Sequence, residues 1–166
     1  MPACIEQFRL PRYREIPDVG LYLDQTVKYV NRYLVPLGCM EITSSMVSNY
    51  VKKGYISNPV RKQYDADQIA YLFFITVAKS VLTMENIARL FDMQKKAYSA
   101  SVAYDFFCME LENMIQFVFD RKSELDMVGV DNSGEKVMLR NCIITVAHKV
   151  YLNALMAELR KEQTHE

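Results

Sequence analysis

The chain has little of what marks a metal protein, a membrane protein or an enzyme. Among its 166 residues there are two histidines, His148 and His165, and four cysteines, Cys4, Cys39, Cys108 and Cys142. No two cysteines stand at the C-x-x-C spacing of zinc or redox sites, and neither histidine lies close in sequence to a cysteine, so no metal is expected. The thiols read as buried groups in a reducing compartment. The sharper alternative is a thiol sensor, and Cys39, beside Gly38 in an expected turn, is its candidate. The longest apolar run is IAYLFFI, Ile69 to Ile75, well below the ~20 residues needed to cross a bilayer. The N-terminus lacks the basic region and apolar core of a signal peptide. The expectation is a soluble cytoplasmic protein with no membrane partner.

Enzyme signatures are missing as well. No G-x-x-x-x-G-K, G-x-G-x-x-G, H-E-x-x-H or G-x-S-x-G motif occurs. Glu110 and Glu112 are two apart on an expected helix, so they point apart rather than forming a carboxylate pair. His148, next to Lys149, reads as a core or surface histidine rather than a base. Neither catalysis nor a cofactor is expected.

Glycine and proline number five each, and tryptophan is absent. Ten methionines and abundant Leu, Ala, Lys and Glu favour helix over sheet. The length allows one good-sized domain or two small helical ones. Met1 to Pro17 reads as an extended arm. Asp18 caps an expected first helix to about Leu34, with Leu23, Val27, Val30 and Leu34 at helical spacing. Pro36 and Gly38 end it. Thr43 caps a second helix, whose buried face is Met46, Val47, Tyr50 and Val51 and whose stop is Gly54. Tyr55 to Tyr64 reads as a loop or small hairpin. Asp65 and Gln68 form a capping box for a nearly all-apolar helix to about Val81.

Thr83 caps a short helix, MENIARLF, and the polar Asp92 to Lys96 is the expected boundary between two halves. A long helix from about Lys95 to Lys122 carries two stripes. One is Tyr104, Phe107, Cys108, Leu111, Ile115 and Val118; the other is Val102, Phe106, Met109 and Phe117. Tyr98, Tyr104, Phe106 and Phe107 crowd the start of this helix, either as plain core or as the wall of a small-molecule pocket. After the turn GVDNSG, Asn132 with Glu135 signals a last helix from about Glu135 to Arg160, and the tail KEQTHE is expected to fray. The fold class is therefore all-α, and the last two long helices are expected to form an antiparallel pair.

Charge is balanced overall, so any basic surface must be local. Lys52, Lys53, Arg61 and Lys62 give the stretch Ile42 to Tyr64 a charge of plus four with no acidic residue, and the remainder is minus four. A helix, a tight turn and a second helix make a helix-turn-helix unit, whose second helix can enter the major groove. Subtracting the apolar face leaves Ser44, Ser45, Ser48, Asn49, Lys52 and Lys53 outward. The serines permit close approach to phosphates, Asn49 can pair with an adenine edge, and the lysines supply charge. Arg61 and Lys62 extend this surface where a wing would sit. Helix-turn-helix geometry also serves domains that bind nothing, and lysines suit any helix C-terminus.

The stretch SNYVKKGYISNPVRKQYDADQIAYLFFI resembles a MerR-type winged helix-turn-helix. Tyr50, Lys52, Gly54, Ile56, Pro59, Arg61, Tyr64, Ile69 and Leu72 fill that family's motif places, and TMENIARLF resembles its next short helix. Gln63 stands where the MerR wing has a second arginine, and no C-terminal cysteine metal loop is present, so metal sensing is not implied. From Leu10 to Phe91 the chain is still more similar to the bacterial domain-of-unknown-function family 1836, through its entry Pro11 to Gln25, its helix ending Lys52 to Ile56, and the segment Pro59 to Tyr64.

The resemblance implies a MerR-like N-terminal half, residues 1–94, with a recognition helix at 43–53 and a small wing at 55–64. Residues 95–166 would then form a helical domain for dimerisation or effector sensing. The implied function is transcription regulation on double-stranded DNA by a homodimer, answering to a small-molecule or protein effector. The alternative is a helical protein–protein interaction regulator without DNA binding.

Overall fold

The computed structural model describes Ile5 and residues 7–38, 41–126 and 132–163. Among these the fold is all-α, with six helices and one two-stranded ribbon. The helices are α1 Leu23–Leu34, α2 Ser44–Lys52, α3 Ala66–Ala78, α4 Met84–Ala97, α5 Ala100–Val118 and α6 Gly134–Gln163. The strands β1 Leu21–Tyr22 and β2 Gln63–Tyr64 pair antiparallel.

Three of the expected caps close as the sequence suggests. Thr43 Oγ1 accepts from Met46 N at 3.2 Å, and Thr83 Oγ1 accepts from Asn86 N at 3.3 Å. Asp65 and Gln68 bond reciprocally, each at 2.8 Å, satisfying two orphan donors at the start of α3. That helix is buried on almost every side, and Ile69, Leu72, Phe73 and Ile75 are wholly inaccessible to solvent.

Several boundaries differ from the sequence expectation, each for a local reason. α1 starts at Leu23 rather than beside Asp18, because Leu21 and Tyr22 are taken up by the ribbon. Its first turn is closed by Gln25 Oε1, which accepts from Tyr22 N at 2.9 Å. α3 ends at Ala78, short of Val81. The polar stretch Asp92 to Lys96 is not a break but the last turns of α4. The break lies at Tyr98–Ser99, where Ser99 Oγ caps α5 by accepting from Val102 N at 3.4 Å. α6 begins at Gly134, so Ser133 rather than Asn132 precedes its first turn. Cys4, Cys39, His165 and residues 129–131 of the GVDNSG turn lie outside the described residues, as do residues 164–166 of the expected fraying tail.

The last two helices run parallel, not antiparallel. Lys136 sits over the Phe106 ring at 4.9 Å, Arg140 meets Glu110 at 3.3 Å, and Tyr151 meets Phe119 edge-on at 5.1 Å. Sequence number therefore rises in the same direction along both. After α5 the chain up to Asp126 turns back along that helix, where Asn113 Nδ2 donates to Asp126 O and Asn113 Oδ1 accepts from Asp126 N, both at 3.2 Å. The sequence offers a turn signal there but no measure of how far the chain travels back.

The described part of the N-terminal arm is not extended throughout: Tyr13–Glu15 form a 3-10 turn, and the arm is strapped to α5. Arg12 forks onto Glu112 with two 2.7 Å contacts, and Leu10 N donates to Glu112 Oε1 at 2.8 Å. Tyr13 N donates to Asp105 Oδ1 at 2.7 Å, and Tyr13 Oη donates to Asp67 Oδ1 on α3 at 2.6 Å. Phe8, Leu10 and Ile16 are buried beneath the strap. Glu110 and Glu112 do point apart, Glu110 to Arg140 and Glu112 to Arg12.

One hydrophobic core runs through all of this, from Ile5 to Val150. Phe73 and Phe74 of α3 meet Tyr104 and Phe107 of α5 with ring centroids at 5.8 and 5.2 Å. The first expected stripe of α5 faces inward, whereas Val102 and Met109 of the second stripe are exposed. By length and composition alone α6 could cross a bilayer; here its Ile143, Val146, Ala147 and Val150 are buried against the bundle. Cys108 and Cys142 are buried free thiols, and burial pushes them up to about 12 and about 11.

Candidate nucleic-acid interface

α2 is fixed on the core by Val47 and Tyr50, both buried, with Met46 and Val51 half-buried beside them. Its distance from α1 is set by Asn31. That side chain donates to Ile42 O at 2.8 Å and accepts from Ile42 N at 2.9 Å, clamping the segment just before α2. At the other end Gly54 is left-handed, with φ +77. Tyr55 N donates to Tyr50 O at 2.9 Å and Gly54 N to Val51 O at 3.0 Å. This nested pair closes the helix C-terminus and needs a residue without a Cβ penalty at the turn.

The outward face follows from that anchoring. Ser45, Ser48, Asn49 and Lys52 are exposed and fall at i, i+3, i+4 and i+7, so they form one stripe. Lys53 is exposed beside it. Ser44 differs from the rest of the expected set: it is half-buried, and its hydroxyl donates to Asp24 Oδ1 of α1 at 3.2 Å.

Beyond Gly54 the chain is held by Gln68. Its Nε2 donates to Ser57 O at 2.9 Å and to Ser57 Oγ at 3.1 Å, while the same side chain caps α3. The chain then makes a two-residue hairpin. Val60 N donates to Gln63 O at 3.1 Å and Gln63 N to Val60 O at 2.9 Å. Arg61 and Lys62 at the tip have φ +50 and +65. Positive φ at both central residues is the geometry of a type I′ turn, which ordinarily selects Asn or Gly. Two exposed cations stand there instead, beside Val60, which is 73% exposed.

The hairpin base continues into β2 and is paired to β1, so the tip is tied to the start of α1. Gly20 makes the approach possible: its φ is +79, and a Cβ there would sit 3.1 Å from Gln63 Cβ. Sequence reasoning missed this pairing and the two clamps, Asn31 and Gln68–Ser57. Gln68 was visible only as a cap, and Asn31 gave no signal beyond a polar residue in a helix.

The site thus brings together seven exposed side chains, Ser45, Ser48, Asn49, Lys52, Lys53, Arg61 and Lys62, on a helix and a hairpin joined by one short loop. Among the described residues no acidic side chain forms a salt bridge with any of these four cations, so their charge faces outward uncompensated within the stretch. From residue 11 to residue 107 the chain matches the family described as Domain of unknown function (DUF1836). It belongs to the DUF1836 family. The family region reaches past Phe91, where the motifs end, to Phe107 in α5. The physical reason is visible in the core: Tyr104 and Phe107 complete the packing of Phe73 and Phe74. No curated protein matches the chain, and no solved structure matches it.

Proposed function

We propose that this DUF1836 protein is a DNA-binding transcription regulator of winged helix-turn-helix type. In this reading α2 is the recognition helix and the Val60–Gln63 hairpin is the wing. The observation that carries it is the stripe Ser45, Ser48, Asn49 and Lys52, continued by Lys53 and by the hairpin cations Arg61 and Lys62, with no acidic residue from Ile42 to Tyr64. The element order supports a MerR-like relation: helix, turn, helix, hairpin braced by a preceding strand, then two helices. A helix of this width fits the major groove, where Asn49 can read an adenine edge while the lysines and Arg61 meet phosphates. Residues 1–94 would form the DNA-binding part, and 95–166 the dimerisation or effector part, in the cytoplasm.

The test is binding to a mixed-sequence duplex over a range of salt. Four phosphate contacts give a log–log slope of roughly −3.6, and Lys52→Ala or Arg61→Ala should each flatten it by about 1. Asn49→Ala should relax sequence preference more than it lowers non-specific affinity. Equal losses on every sequence would reject a base-reading role.

A second reading is favoured by α6. Tyr151 lies level with Phe119 just past the end of α5, so the last turns of α6 project beyond it. They expose Leu152, Met156 and Leu159, each a little over half accessible. Such a row at i, i+4 and i+7 is a protein-contact surface, which serves a homodimer or a different protein partner. Light scattering on wild type and on Leu152→Glu tests the first of these: a dimer that becomes a monomer supports self-association, and a wild-type monomer rules it out.

A further inference from the structure

Four helices leave a hollow between them. Its walls come from Tyr71 and Phe74 on α3, Phe91 and Gln94 on α4, Phe107 on α5 and Leu139 on α6. Its free volume is about 70 Å³, and an adjoining hollow adds about 100 Å³. The space exists because alanines stand where the neighbouring positions carry large side chains: Ala70 on α3, and Ala100 and Ala103 on α5. A second hollow beside it shares Leu90, Gln94, Ala103 and Leu139, and it leads to the surface past Lys136 and Glu135.

The lining is almost wholly apolar and aromatic, which excludes a charged ligand: a buried carboxylate or ammonium would lose its water without a partner. Lys95 lies over the Tyr71 ring at 5.5 Å and Lys136 over Tyr98 and Phe106 at 5.3 and 4.9 Å, so both cations already sit on the aromatic faces around the hollow. Besides the Tyr104 hydroxyl, which is buried without a hydrogen-bond partner, the polar groups of the wall are one linked pair. Tyr71 Oη donates to Gln94 Oε1 at 2.9 Å, and Gln94 Nε2 donates to Tyr98 O at 2.6 Å. Each oxygen of the Tyr71–Gln94 pair keeps a lone pair able to accept. Aromatic walls favour ring partners in edge-on or offset contact.

The geometry points to a binding site for a small uncharged aromatic molecule of one or two rings, carrying an N–H or O–H donor for the Tyr71–Gln94 pair. The site stands whether or not α2 binds DNA, because every wall residue lies outside the basic stretch.

Indole is the probe. The chain has no tryptophan, so indole emission is read without background. Titrating the full-length chain with indole should give a saturable blue shift at one indole per chain. Ala103→Leu, which fills the hollow, should weaken this at least tenfold while leaving the melting temperature unchanged or higher. Should Ala103→Leu fail to fold, Ala100→Leu at the first position of α5 carries the same test. Benzoate, of similar size but charged, should not compete. A shift that does not saturate, a filled variant that binds indole as tightly as wild type, or benzoate competing as well as indole would overturn the assignment.

Discussion

Arg61 and Lys62 hold a left-handed backbone that residues with a Cβ avoid, at roughly 1–2 kcal/mol each. Glycine at either place would relieve the strain but lose a cation. Lys62→Gly is therefore expected to raise stability by about 1 kcal/mol in urea denaturation and to weaken DNA binding. A variant that loses stability would show that the turn is held by contacts of the lysine side chain instead. Ser44 shows how far single residues could be read from sequence. Periodicity placed it outward with Ser45, Ser48 and Asn49, but it lies on the flank that faces α1 and is taken by Asp24. Spacing along one helix identifies a stripe; it does not say which neighbouring helix covers its margin.

Elements were legible where the signal is local. Thr43, Asp65 with Gln68, Thr83 and Gly54 each act within four residues of their own helix end, and each is found in its expected role. Signals that depend on distant partners were not legible. The start of α1 is displaced by pairing with a strand some forty residues away, and the parallel course of α5 and α6 depends on how a connecting segment folds back onto Asn113. The candidate site shares this split: its outward residues were readable, but the clamps that orient them were not. Asn31 is the clearest case. Asn31→Ala removes both bonds to Ile42 and leaves a buried peptide unpaired, so it should cost about 1–3 kcal/mol. It should also lower DNA affinity with the salt slope unchanged, since no charge is lost. A loss of slope would mean that the substitution had disturbed the cations as well.

For the whole molecule, one core joins the arm, the α2 platform and the α5–α6 pair, and it buries acidic protons throughout. Burial raises the Cys108 thiol from 9.0 to about 12, and it raises the phenols of Tyr104 and Tyr29 as well. A raised folded value stabilises fully below the unfolded value and is lost as pH climbs to the folded one. Stability should therefore hold to about pH 9 and fall between pH 9 and 12, and Cys108→Ala should flatten that fall by on the order of 1–3 kcal/mol. An unchanged alkaline limb would place the loss elsewhere. The same scale resolves the neutrality of the chain: plus four sits on one helix and hairpin, and minus four is spread over the rest. The measurement that tests this most directly is binding of the full-length protein to a mixed duplex at increasing salt. The account predicts binding at low salt that weakens with a log–log slope of roughly −3.6, and a slope about 1 shallower for Lys52→Ala and for Arg61→Ala. No binding at low salt, or equal slopes in wild type and both variants, would contradict it.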